Sequence, residues 1–100
     1  MVELECKDVA FYSPQDESAF FAWAQAIPAV VSVAGRGRGI ILAVKSGRIP
    51  DASLRELLAL FRRYRVPMRQ LARFRNSRNE SWFASPDAFW FKSVFGGGNT

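Results

Sequence analysis

The chain holds no histidine and one cysteine, Cys6, so the side chains left to do chemistry are Asp, Glu, Tyr, Lys and Arg. Without imidazole there is no ordinary general base near neutral pH, no Ser-His or Cys-His pair and no histidine metal ligand. A single thiol forms no internal disulfide and no cysteine zinc site. Cys6 falls in a strand-like stretch with no evident cationic helper, which fits an inert core residue better than a nucleophile. The acids Asp8, Asp16, Glu17, Asp51 and Glu56 show no spacing typical of two-carboxylate catalysis, and Asp16 and Asp51 stand where helix starts are expected. No catalytic constellation, cofactor or metal is therefore expected. The expected activity is binding, not turnover.

What the sequence offers for binding is arginine. Fourteen Lys and Arg against nine Asp and Glu give +5, unevenly spread. Residues 1–34 sum to −4, residues 35–50 to +4, residues 51–80 to +5 and residues 81–100 to zero. Such asymmetry points to an acidic partner. Arg62, Arg63, Arg69 and Arg73 form the densest run, and guanidiniums on successive turns grip phosphates or carboxylates bidentately. The same pattern also suits a solvated outer face that keeps the chain in solution.

Arg36 and Arg38 alternate with Gly35, Gly37 and Gly39. This is not a phosphate loop: no P-loop lysine with Ser/Thr follows, and the next element reads as a strand, so a hairpin turn is expected. Six aromatics from Trp82 to Phe95 are too many for one helix face. Trp90 and Phe91 are candidates for a partner-facing apolar patch, Phe91 first. The candidate partner surface is thus Arg36, Arg38, Arg62, Arg63, Arg69, Arg73, Trp90 and Phe91. Another protein with an acidic face is the expected partner and nucleic acid the alternative. Homodimerisation through a free strand edge or the aromatic segment is a further possibility, and no membrane is implied.

The elements that must position these residues read as β-α-β-β-α-α-α, an α+β class with a small three-stranded sheet and helices packed on one face. Residues 2–12 read as a strand with a break at Lys7 and Asp8. Ser13 and Pro14 start a helix whose inner face is Phe20, Trp23, Ala24 and Ile27, and Pro28 ends it. Residues 29–34 and 40–45 make the hairpin. Asp51 caps a second helix running to about Tyr64, with Leu54, Leu57, Leu58 and Phe61 as its apolar stripe. A third helix places Met68, Leu71 and Ala72 inward. Ser85, Pro86 and Asp87 repeat the serine-proline-acid start and open a fourth helix. Residues 1–95 form one domain, and residues 96–100 a mobile Gly-rich tail.

Acid at Glu3 and Glu5 with no following apolar run is not a secretory signal, and the stretches 27–33 and 40–44 are too short to span a bilayer, so a cytoplasmic location is expected. Phe11, Tyr12, Ser13 and Pro14 with Asp16 and Glu17, then Tyr64, Met68 and Leu71, then Trp82, Phe83, Phe89, Trp90 and Phe91 resemble a loose family of small uncharacterised bacterial proteins. Some compact members are similar to immunity proteins, which neutralise a toxin by binding it. The resemblance implies a binding role and carries over no functional residue.

Overall fold

The first strand, β1, spans Val2–Lys7. Its alternation buries Leu4 and Cys6 and leaves Glu3, Glu5 and Lys7 in water. The strand expected over residues 2–12 stops early because Asp8 turns left-handed, at φ 54°, a conformation its short polar side chain tolerates. Helix α1 (Pro14–Ala26) starts as expected. The Ser13 hydroxyl accepts the Asp16 N–H at 3.1 Å, and Pro14 takes the first helical position. Phe20, Ala24 and Ile27 are buried and Trp23 is half-buried.

Strands β2 (Val30–Arg36) and β3 (Gly39–Val44) pair as a hairpin. Arg36 faces Gly39, which leaves Gly37 and Arg38 as a two-residue turn. Of those two only Gly37 has positive φ, +58°, the pattern of a type II′ turn, where glycine leads. The sheet order is β1-β3-β2, with both outer strands antiparallel to β3. β1 and β2 therefore run parallel, and α1 joins them across the central strand, a split β-α-β unit. Exposed Glu3, Glu5, Lys7, Ser32, Ala34 and Arg36 line one sheet face, so the helices pack on the other.

Helix α2 (Asp51–Tyr64) buries Leu54, Leu57, Leu58, Leu60 and Phe61 against the sheet. Asp51 is not its cap. Pro50 holds that position, and Asp51, one residue inside, accepts the Trp82 indole N–H at 3.2 Å. Two polar ties lock α2 in place. Buried Ser53 accepts the Ala29 N–H at 3.2 Å, and Glu56 accepts the Trp23 indole N–H at 2.8 Å. The expected third helix is a 3₁₀ segment, Arg69–Phe74, as suits a short piece between Pro67 and the Asn76 loop; Met68 and Leu71 are buried as expected. One-turn helices α3 (Glu80–Phe83) and α4 (Phe91–Phe95) follow.

The helix expected to open at Ser85 is a turn instead. Ser85 accepts the N–H of Asp87, two residues on, whereas Ser13 accepts the N–H three residues on. The structure describes residues 1–46 and 48–96 of what is a computed structural model. Apart from Gly96, the expected tail lies outside the described residues.

The outer edge of β1 is blocked by a side chain. Gln70 accepts the Glu5 N–H and donates to the Glu5 carbonyl, both at 2.9 Å, so its amide stands in for a neighbouring strand. Gln70→Ala should cost about 1 kcal/mol for two exposed hydrogen bonds and sharply speed exchange of the Glu5 amide proton. Hydrogen exchange read residue by residue checks this, and unchanged protection of Glu5 would refute it.

Candidate functional site

Arg62 and Arg63 stand in the last turn of α2, where cations suit the negative end of the helix dipole. At about 100° per residue, a continuing helix would keep Arg65 near Arg62 but turn it nearly opposite Arg63. The helix ends instead. Arg65 adopts a left-handed conformation, φ 57° and ψ 38°. Its N–H donates to the Arg62 carbonyl at 3.4 Å, and the Val66 N–H donates to the Phe61 carbonyl at 2.9 Å. This is a Schellman closure, with buried Phe61 and Val66 as its apolar pair. The reversal brings Arg62, Arg63 and Arg65 onto one open cleft of about 730 Å³, floored by Val66, Pro67 and Met68. Among the described residues no carboxylate lines that cleft.

Arg63 and Arg65 also wall a second cleft of about 560 Å³, shared with Asp8, Tyr12, Asp16, Trp23 and Tyr64. Burial first, and the neighbouring Asp16 carboxylate second, push the Tyr64 hydroxyl above its ordinary range, while Arg63 pulls the other way. Asp16 is already engaged, since it accepts the Tyr12 N–H at 3.0 Å. Pro67 links the arginine cleft to a shallow groove lined by Glu5, Lys7, Arg69 and Gln70, in which Lys7 pairs with Glu5 at 3.7 Å. The three depressions share walls, so Arg62, Arg63, Arg65, Arg69 and Lys7 lie on one contiguous tract.

The other candidate arginines are dispersed. Arg36 lies on the open sheet face, where its two terminal nitrogens each donate to Glu3 at 3.2 Å. Arg38 is exposed at the turn, and Arg73 is exposed on the 3₁₀ segment and lines neither cleft. Arg69 donates to the Gly96 carbonyl at 2.6 Å. Three more guanidiniums lie over aromatic rings: Arg55 over Trp82 at 3.9 Å, Arg75 over Phe95 at 5.4 Å and Arg62 over Phe89 at 5.8 Å. Part of the positive charge is therefore used to hold the C-terminal aromatic segment in place.

The expected apolar patch sits elsewhere than placed. Phe91 is half-buried against Phe95, with ring centres 5.7 Å apart. Trp90 is also half-buried, its indole N–H donating to the Phe83 carbonyl at 2.7 Å. The exposed aromatics are Phe89, at 55%, and Tyr12, at 89%. Sequence reasoning passed over Arg65, which it counted as charge only. A partial signal was there: a helix stripe ending at Tyr64 with Pro67 three residues on marks a stop at which a left-handed residue is common, and Arg65 occupies the place where glycine is usual.

Cys6 is fully buried, and burial, helped by the Glu5 charge, raises its thiol to about 12, which leaves it protonated and unreactive at neutral pH. Among the described residues, no helix is long and apolar enough to cross a membrane. No protein family matches the chain, and no curated protein or solved structure matches it either.

Proposed function

We propose that this chain is a small non-enzymatic binding protein of the bacterial cytoplasm that grips the acidic face of another protein, in the manner of an immunity or adaptor module. The observation that carries the reading is the cleft at the end of α2, where three arginines gather with no lining carboxylate. Three arginines on a depression with no carboxylate among the described residues of its own wall raise the local positive potential and steer an anionic partner toward it. Asp8 and Asp16 stand across the neighbouring cleft from Arg63 and Arg65. Exposed Phe89, beneath Arg62, and exposed Tyr12 supply apolar area next to the charge, the combination that anchors protein interfaces.

Capture from a nuclease-treated cytoplasmic extract at physiological salt tests the reading. An acidic protein should enrich on the parent chain and fall at least tenfold on the Arg62→Glu, Arg63→Glu double variant. Enrichment that both chains share, or none at all, removes the proposal. A nucleic-acid partner is the second reading, favoured by Tyr12 and Tyr64 standing beside Arg63 and Arg65. It demands capture that vanishes on nuclease treatment, and oligonucleotide affinity that falls steeply between two salt concentrations.

A further inference from the structure

We infer that the cleft formed by Arg62, Arg63 and Arg65 is an oxyanion site, and that the group it takes is a phosphate monoester carried on a side chain of the partner protein. This rests on the binding reading above and names the chemistry that the partner presents.

Of the chain's eleven arginines, four are engaged by the fold. Of the other seven, which form no ion pair among the described residues, three gather on one cleft. Arg38 and Arg73 stand apart, and Arg48 and Arg78 share a depression with Asp51. Arg36 and Arg75 are paired with Glu3 and Glu80, Arg55 lies on Trp82, and Arg69 holds the Gly96 carbonyl. Those four are accounted for by the fold. Arg62, Arg63 and Arg65 form no ion pair among the described residues, and the short-range contact of Arg62 is the Phe89 ring at 5.8 Å. Among the described residues no hydrogen bond ties the side chain of Arg62, Arg63 or Arg65 to a backbone carbonyl, whereas Arg69 is tied in this way to Gly96.

Arg65 adds a second line. A left-handed backbone disfavours every residue with a Cβ, and glycine is the usual occupant of this closure. Arg65 holds it at φ 57° and is the third arginine that lines the cleft. A residue kept where the backbone resists it, with its charge unspent, is one whose side chain has a use.

Three arginines lining one depression favour an anion able to engage more than two guanidiniums. A carboxylate has two oxygens and a phosphodiester has two terminal oxygens and one charge. A phosphate monoester has three terminal oxygens and close to two charges at neutral pH, enough to engage three guanidiniums. Val66, Pro67 and Met68 give the floor an apolar surface for the atoms that carry the phosphate.

The test is calorimetric titration of the full chain, in phosphate-free buffer, with O-phospho-L-serine, acetate, dimethyl phosphate and a short oligonucleotide. O-phosphoserine should saturate at millimolar concentration or below and bind at least tenfold tighter than acetate or dimethyl phosphate. Its binding should weaken from pH 8 to pH 5 as the second ionisation, near about 6, is lost. Arg65→Gly should weaken it tenfold or more while the melting temperature stays at or above the parent value, which separates loss of the site from loss of the fold. Equal binding of acetate, an oligonucleotide that outbinds O-phosphoserine, or an Arg65→Gly chain that binds like the parent overturns the inference. If O-phosphoserine does not bind and an acidic protein is still captured through Arg62 and Arg63, the inference fails alone. If neither occurs, the binding reading fails with it.

Discussion

Phe61→Ala is expected to cost about 3–5 kcal/mol, the range for deleting a buried aromatic ring. A domain of this size holds only about 5–15 kcal/mol in all, so the variant should sit at the edge of folding. Two losses combine at this residue. Its ring is fully buried in the α2 stripe, and it is the apolar partner of Val66 in the closure that ends the helix. Without the ring, the contact that fixes the reversal at Arg65 is gone. Urea denaturation followed by circular dichroism should show a midpoint shifted down by most of its value. A loss under about 1 kcal/mol would mean that neighbouring side chains collapse into the space and that the closure does not depend on Phe61.

Asn79→Ala should be the next most damaging change, at about 2–4 kcal/mol. Asn79 is buried, and its side chain does two jobs at once. Its amide nitrogen donates to the Phe74 carbonyl at 2.8 Å, and its oxygen accepts the Asn76 N–H at 2.9 Å. Asn76 answers by accepting the N–H groups of Arg78 and Asn79. The two asparagines form a reciprocal knot that fixes the turn between the 3₁₀ segment and α3. Alanine would strand a backbone carbonyl and an N–H at the end of a core element. Asn79→Asp keeps the acceptor and removes the donor, so it should fall between parent and Asn79→Ala in thermal melts. Identical melts for all three would show that water replaces both bonds without penalty.

Much of the architecture was legible, for local reasons. Ser13 and Pro14 announced α1 because a hydroxyl cap and a proline at the first position act through bonds to the next three residues. The stripe of Leu54, Leu57, Leu58 and Phe61 announced α2 because one face repeats at helical spacing. Gly37 announced the turn because only glycine takes that φ freely.

The failures came where a distant partner or one residue of spacing decided the outcome. Asp51 looked like a cap, but the Trp82 indole claims its carboxylate from thirty-one positions away. Ser85, Pro86 and Asp87 copied the earlier helix start in composition but not in spacing. The acid of α1 stands three residues after its serine, and Asp87 stands two after Ser85, so the hydroxyl closes a turn instead of capping a helix. The candidate site was half legible. Its charge could be counted, but the gathering of Arg62, Arg63 and Arg65 depends on a backbone reversal that charge patterns do not encode.

The C-terminal aromatic segment has a bearing on how the molecule comes off the ribosome. Phe83 and Val94 are wholly enclosed, and Phe95 packs against Phe83 with ring centres 4.9 Å apart, though all three are synthesised long after the strands and α2 they help cover. Until those residues emerge, the α2 leucines and Phe61 lack the part of their cover that this segment completes. The nascent chain is then a natural client for holding chaperones, and termination between Tyr64 and Val94 would release a sticky product instead of a smaller working one.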